Sequence, residues 1–292
     1  MIDNMNKFKG LGVALITPFL QSGAIDFKAL ESLVNDMIAK HVDYLLALGT
    51  TSEAPTLTPA EKRDVLRCVT EVNNGRLPVL MGLGGPDTQA LAREMEQIEN
   101  LPIDAVLSVT PYYNKPNQKG LFEHYKMLSS HCPKPVLLYN VPGRTACNIE
   151  AETTLRIAAE CPNVIGIKEA SGNMKQIMHL LHHKPEHFLV ISGDDLLTLP
   201  LMAVGLDGLI SVVANAFPAE MSNMVRLAMD DQFIKARLYH DKLYELTMAC
   251  FKEGNPAGIK AIMQAQGKIE NCFRLPTVPV SDTLMQYIKT LV

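Results

Sequence analysis

A lysine closes the run Val164-Ile165-Gly166-Ile167-Lys168-Glu169-Ala170-Ser171-Gly172. If the run is a strand, alternation puts Ile165 and Ile167 on one face and Gly166 and Lys168 on the other. With helices outside, the isoleucine face turns outward and Lys168 points inward, with Gly166 beneath leaving room for its stem. A charged amine is costly to bury, so such a position favours the neutral form that attacks a carbonyl. The alternatives are that Lys168 snorkels outward or pairs with Glu169. Tyr139, in Pro135-Val136-Leu137-Leu138-Tyr139-Asn140, shares a face with Leu137 and is expected inward. Its phenol either relays protons or bonds a backbone carbonyl as a core tyrosine.

Other residues with chemical potential follow similar runs. Gly49-Thr50-Thr51-Ser52-Glu53 is either an amide nest for a carboxylate or a hydroxyl-rich turn. Arg144, in Pro142-Gly143-Arg144-Thr145, is a carboxylate clamp or a surface cation. Tyr112 and Tyr113 form a loop pair whose default role is stacking or interface packing. Asp194 and Asp195 diverge on a strand end before a helix, which points to N-capping. Two acids there also disfavour a phosphate site after strand seven. His182, His183 and His187 are expected in a polar helix-to-strand loop, with no metal-ligand spacing.

These residues need elements to hold them. Apolar, β-branched runs recur at Val13–Phe19, Tyr44–Gly49, Pro78–Gly84, Ala105–Pro111, Pro135–Pro142, Val164–Ser171, Phe188–Asp195 and Gly208–Asn215. Their starts lie about 20 to 34 residues apart, the length of a βα unit. The stretches between carry helix starts. Thr58-Pro59-Ala60-Glu61 supplies an N-cap, a proline at the first helical position and a capping-box glutamate, and Thr88 opens Gln89–Asn100 more weakly. Eight such units close as a parallel barrel or extend as a doubly wound sheet. No Gly-x-Gly-x-x-Gly follows the first run, and Pro86 interrupts the Gly82-Leu83-Gly84-Gly85 cluster. The pattern favours an α/β fold, a (β/α)8 TIM barrel over residues 1–230. Residues 231–292 read as a C-terminal three-helix extension, with helices at Asp231–Phe251, Pro256–Ile269 and Asp282–Leu291 joined by a proline-containing connector, Cys272–Val280. No Ser/Gly linker separates it, so it is expected to pack on the barrel.

Composition narrows the function. The chain has 292 residues, 47% of them hydrophobic and 20% charged, with a formal net charge of −4. Disorder is excluded, and a mildly acidic chain without a basic run is a poor nucleic-acid binder. No apolar run approaches a membrane span, and the N-terminal Met1–Gly10 has no signal-like apolar region, so a cytoplasmic protein with no membrane partner is expected. Six widely and irregularly spaced cysteines suit reduced thiols better than a disulfide framework or a zinc site.

Taken together, Gly49–Glu53, Thr110–Tyr113 with Asn114-Lys115-Pro116, Tyr139–Thr145, Gly166–Gly172, Gly193–Asp195 and Gly254–Lys260 resemble the dihydrodipicolinate synthase branch of the N-acetylneuraminate lyase superfamily. The resemblance runs from about residue 12 to about residue 265. It implies that Lys168 forms a Schiff base with pyruvate. It implies a proton relay of Tyr139, Thr50 and Tyr113, with Tyr113 crossing from a neighbouring subunit. Thr51 would hold the pyruvate carboxylate and Arg144 that of L-aspartate 4-semialdehyde. Gly193 and Ile210 would turn backbone toward the substrate. No metal or organic cofactor is implied, and the assembly implied is a homotetramer, a dimer of dimers.

Two departures stand out. Ser52 replaces the usual glycine of the Gly-Thr-Thr-Gly-Glu motif, which would strain a turn that needs positive φ. Lysine-inhibited relatives carry polar and acidic residues where Pro86 and Ala90 stand, and a histidine where Lys62 stands, so feedback by L-lysine is expected to be weak or absent. Two other readings remain. A sister aldolase acting on sialic acid or a 2-keto-3-deoxy sugar acid would share Lys168 and Tyr139 but usually lacks Arg144. A catalytically silent barrel would bind a keto acid without turnover.

Overall fold

The eight apolar runs each contribute one strand: β1 Gly10–Ala14, β2 Tyr44–Ala47, β3 Val79–Gly82, β4 Ala105–Val109, β5 Val136–Asn140, β6 Val164–Glu169, β7 Leu189–Ser192 and β8 Gly208–Ser211. In the computed structural model, which describes residues 6–292, they pair in chain order and in parallel, and β8 closes on β1. Helices α1 Phe27–Ala39, α2 Pro59–Asn73, α3 Thr88–Glu96, α4 Gln118–His131, α5 Ala151–Glu160, α6 Met174–His183, α7 Thr198–Met202 and α8 Pro218–Met229 follow the strands in turn. Then come α9 Phe233–Lys252, α10 Ala257–Ala265 and α11 Asp282–Leu291. The architecture is a (β/α)8 barrel with additional C-terminal helices.

The helix starts follow their local chemistry. Thr58 Oγ1 accepts from Glu61 N while the Glu61 carboxylate accepts from Thr58 N, a complete capping box on α2. α3 begins one residue earlier than expected. Asp87 caps it, its carboxylate accepting from Gln89 N and Ala90 N, and Thr88 is the first helical residue. His182 and His183 form the last turn of α6 rather than a loop, because the apolar spacing of Ile177 and Leu180 carries the helix through them.

Two hydrophobic layers result. Alternate strand residues such as Val13, Leu45, Val106, Leu138, Ile167 and Val190 face the helices. Leu46, Leu80, Leu107, Leu137, Tyr139, Leu189 and Ile191 fill the barrel. Each such residue taken from water contributes about 1.5–3 kcal/mol, so alternation fixes the inward set. Phe8 and Tyr44 close the barrel floor, their rings edge to face at 5.5 Å. The Tyr44 ring occupies the space a side chain at position 12 would need, so Gly12 is obligatory. That glycine also explains a misplaced boundary. Gly10-Leu11-Gly12 lacks β propensity, yet it forms β1, whereas Ile16 beyond it leaves the ladder and donates to Asn215 Oδ1.

An acid or amide precedes each even strand. Asp43 accepts from Leu11 N, Asp104 from Val79 N and Asp207 from Val190 N at 2.7–2.9 Å, fastening the base of β1, β3 and β7 to the next strand. Before β6, Asn163 donates to Cys132 O and Lys134 O.

The alternation expected for β6 needs one correction. Its register with β5 shifts, so that Leu137 pairs with Gly166 and Tyr139 with Lys168. Ile165 is the extra residue of this bulge and joins the barrel interior instead of facing out beside Ile167.

Candidate active site

Lys168 and Tyr139 meet because they occupy the same row of adjacent strands, on the same face. Lys168 is 4% exposed and its Nζ lies 4.6 Å from the Tyr139 ring centroid. It therefore neither snorkels outward nor pairs with its neighbour. Glu169 faces the opposite way and its carboxylate is fully engaged, accepting from Asn140 Nδ2, Ser171 N and Gln176 Nε2. A sheltered amine beside a phenol, with no carboxylate of the described residues on it, is suited to nucleophilic chemistry.

Room for the lysine stem does not come from Gly166. A Cβ there would strike Leu189 of β7, at 2.6 Å from its carbonyl oxygen. It comes from Gly193, where a Cβ would lie 2.7 Å from Lys168 Cε and 2.8 Å from Ala170 Cβ. The loop after β7 thus presents bare backbone to the side of the lysine.

The rest of the barrel mouth is built from loops that follow the strands. Thr50–Ser52 makes a single 3-10 turn after β2. Ser52 causes no strain: the left-handed residue is Glu53, at φ 55°, and Ser52 Oγ donates to Gly49 O at 2.7 Å, tightening the turn. Arg144 sits in a one-turn helix, Pro142–Thr145, after β5. Thr50, Thr51, Tyr139, Arg144, Lys168 and Gly193 line one cavity. Tyr113 borders it too, but is 93% exposed and stands at φ 74° on the loop after β4. Ile210 is fully buried in the barrel interior and does not line the cavity.

Three further groups take roles that the sequence did not reveal. Asn255, between α9 and α10, donates from Nδ2 to Thr51 Oγ1 at 3.0 Å, and its carbonyl accepts from Arg144 Nη2 at 3.2 Å. One residue from the C-terminal extension thereby touches both the Thr-Thr turn and the arginine. Glu53 and Lys260 form an ion pair whose side chains are 2% and 0% exposed. Lys260 also donates to Cys272 O and lies over the Phe19 and Phe273 rings. Burial pulls its pKa below that of a free lysine, and Glu53 opposes that pull. The signal was present: Lys260 is a lone charge in Ala257-Gly258-Ile259-Lys260-Ala261-Ile262-Met263, a helix apolar on every side, and such a lysine needs a partner.

The third group is Asp195. Asp194 does cap the turn before α7, accepting from Leu196 N and Leu197 N. Asp195 does not cap. It is 3% exposed and takes the Ser211 hydroxyl, Val212 N and Val213 N instead. Burial raises its pKa to about 6, against the lowering effect of those donors.

The buried thiols of Cys132, Cys147, Cys161 and Cys250 are pushed up by burial, which leaves them inert rather than nucleophilic. Among the described residues, no three His, Cys, Asp or Glu side chains are grouped to hold a metal ion.

Known proteins match this chain over most of its length. The sequence profile of the dihydrodipicolinate synthetase family matches residues 7–292. The 4-hydroxy-tetrahydrodipicolinate synthase of Parabacteroides distasonis is 47% identical over 283 residues, covering 97% of this chain and 95% of its own. That of Phocaeicola vulgatus is 46% identical, covering 98% and 96%. The crystal structure of dihydrodipicolinate synthase from Thermotoga maritima superposes with a TM-score of 0.95 at 39% identity, covering 98% of this chain and 97% of that one.

Proposed function

The chain belongs to the dihydrodipicolinate synthetase family, and from that premise we propose how its barrel mouth works as a 4-hydroxy-tetrahydrodipicolinate synthase, the enzyme that condenses pyruvate with L-aspartate 4-semialdehyde. The Lys168 amine attacks the pyruvate ketone, and water leaves as the imine forms. The protonated imine is an electron sink, so a methyl proton departs and an enamine results. The enamine carbon attacks the aldehyde of the semialdehyde, whose oxygen takes up a proton. The substrate's own amine then displaces Lys168 at the imine carbon, which closes the ring and returns the free enzyme.

Tyr139, Thr50 and Tyr113 carry the protons in this reading, and each assisted transfer is worth about 10²–10⁴ in rate. Thr51 receives the pyruvate carboxylate and Arg144 that of the semialdehyde. Gly193 and Ile210 turn their backbone toward the bound substrate, the Ile210 side chain staying in the barrel interior. Tyr113 reaches a neighbouring subunit's site in a homotetramer, a dimer of dimers. Its exposure on a left-handed backbone supports that placement. No helix of the described residues is long and apolar enough to cross a membrane, which fits work in the cytoplasm. Residues 231–292 act as an extension of the barrel, supported by the reach of Asn255 and Lys260 into its loops.

The observation that carries the site assignment is the sheltered Lys168 amine over Tyr139, with the neighbouring Glu169 carboxylate engaged elsewhere. Reduction with borohydride in the presence of pyruvate, followed by peptide mass mapping, should place a pyruvate-derived adduct on Lys168. An unmodified Lys168, together with a fully active Lys168→Ala variant, would reject the assignment. Product assays with aspartate semialdehyde and with sialic acid then separate the synthase from a sister aldolase.

A further inference from the structure

We propose that Asp195 is a positioning residue: its buried carboxylate clasps the turn leaving β8 and so holds the Gly193 backbone against the stem of Lys168. The inference rests on the reading of Lys168 as the Schiff-base amine.

The barrel needs such a clasp at this seam. β7 and β8 share only two register pairs, Ile191 with Gly208 and Ser192 with Leu209, whereas β6 and β7 share four. Toward the mouth Ser211 pairs with Val13 of β1 and with nothing on β7. Asp195 fills the gap from the β7 side. It accepts the Ser211 hydroxyl, Val212 N at 3.0 Å and Val213 N at 3.3 Å. Ser211 Oγ in turn accepts from Ala214 N at 2.8 Å. The same turn carries Asn215, whose side chain donates to Ala14 O and accepts from Ile16 N on the β1 side. One carboxylate therefore ties β7 to a turn already tied to β1.

The clasp is transmitted to the reactive lysine over a short, stiff path. Between Ser192 and Thr198 the chain bonds to itself: Asp194 N donates to Ser192 Oγ, Ser192 Oγ and Thr198 Oγ1 both donate to Asp194 O, and Asp194 Oδ1 takes two amides. Gly193 lies in this segment, and its N–H donates to the carbonyl of Glu169, next to Lys168, at 2.8 Å. That bond fixes how closely the loop approaches β6.

The clasp is also titratable. Burial lifts the Asp195 carboxyl to about 6, and Asp194 beside it adds to the rise. Cys250 of α9 is a titratable group near it, and Asp195 helps to keep that thiol protonated. His240 of α9 meets the same loop at Leu196 O. Below about pH 6 the carboxylate takes up a proton and surrenders part of its hold on the three donors. The pH dependence of imine formation therefore carries an acid limb that belongs to Asp195.

The test follows imine formation on Lys168 with pyruvate, trapped by cyanoborohydride and read by mass, from about pH 5 to about pH 8. Asp195→Asn should slow trapping about tenfold at the upper end and remove the acid limb. Ser211→Ala takes one donor from the carboxylate, so its limb should move to higher pH, a displacement that a merely structural role for Ser211 would not give. Rates and profiles in both variants that overlay the wild type would overturn the inference while leaving the role of Lys168 intact. If Asp195→Asn does not fold, an unmoved limb in Ser211→Ala overturns it alone. A wild-type chain that forms no adduct removes the reading of Lys168, and this inference with it.

Discussion

Gly193→Ala separates the needs of the fold from those of the proposed chemistry. The added Cβ would stand 2.7 Å from Lys168 Cε, 2.8 Å from Ala170 Cβ and 3.3 Å from Lys168 Cγ. Carbon atoms rest at about 3.5–4.0 Å, so something must yield by about 1 Å. Gly193 is not in the left-handed region, so alanine meets no backbone strain there. The lysine stem is flexible and gives way first, and Ala170 gives by the remainder. The fold should lose no more than the about 1–3 kcal/mol typical of an overpacked site. The reacting nitrogen is one bond beyond Cε and moves with it. A misplacement of about 1 Å costs about 10² in rate, or about 2.7 kcal/mol of barrier at about 1.36 kcal/mol per decade. The assay is kcat/KM for condensation together with the rate of pyruvate trapping on Lys168. Gly85→Ala is the control, since a Cβ at Gly85 meets nothing within 4 Å. A folded Gly193→Ala protein whose trapping rate stays within about threefold of wild type would refute the reasoning.

Three further outcomes are expected. Lys260→Met strands the Glu53 carboxylate in the interior, so thermal or urea unfolding should show a loss of about 3–5 kcal/mol; a loss below about 1 kcal/mol would mean the pair is not buried in solution. His124 is buried against α3, with Nδ1 2.8 Å from Thr88 Oγ1 and Nε2 unpartnered, and burial depresses its pKa to about 4. Its contribution is complete above the unfolded value of about 6.5 and is lost as pH falls toward 4, by about 2 kcal/mol at pH 5. Asp195, with a raised pKa, opposes this by about 1 kcal/mol in the same window, so the measurement is the difference in pH slope between wild type and His124→Gln, and equal slopes would contradict it. Finally, Pro86 and Ala90 offer no side-chain acid to a lysine ammonium, and the Pro86 carbonyl already accepts from Asn114 Nδ2; condensation should be insensitive to micromolar L-lysine, and clear inhibition there would be the contrary result.

The barrel was legible because its signal is repeated. Eight buried runs, each followed by a helix start, are difficult to arrange otherwise, and a boundary missed at Gly10–Gly12 does not disturb the count. The inward position of Lys168 was legible too, although part of its justification was not. Alternation predicts Ile165 outside, and the bulge that reverses it depends on the register with β5, which no single strand's sequence contains. The space around the lysine was assigned to Gly166, its near neighbour in the chain, and is in fact supplied by Gly193, its neighbour in space. Local pattern reaches residues two or four apart on one element; it does not reach across strands. The same limit applies to Asp195. A capping role follows from its place in the sequence, and only the fold shows that its adjacent twin Asp194 already fills that role.

Where the backbone ladder ends, side chains take over the seams, and this explains the company the proposed catalytic residues keep. The mouth is the end of a parallel barrel at which strands give way to loops, so its geometry cannot be inherited from hydrogen-bonded strands alone. Thr51 is steadied by Asn255, Arg144 by the Asn255 carbonyl, the Thr50–Ser52 turn by the buried pair of Glu53 with Lys260, and Gly193 by the loop that Asp195 anchors. The first three of these supports draw on residues beyond the barrel's last helix. Truncation before α9 would therefore remove Asn255 and Lys260 together while sparing the residues of all eight strands. On the proposed reading such a chain keeps Lys168 and Tyr139 but loses the constraint on both carboxylate-binding positions. The C-terminal helices are in that sense part of the site, and the barrel alone is a scaffold for an incomplete one.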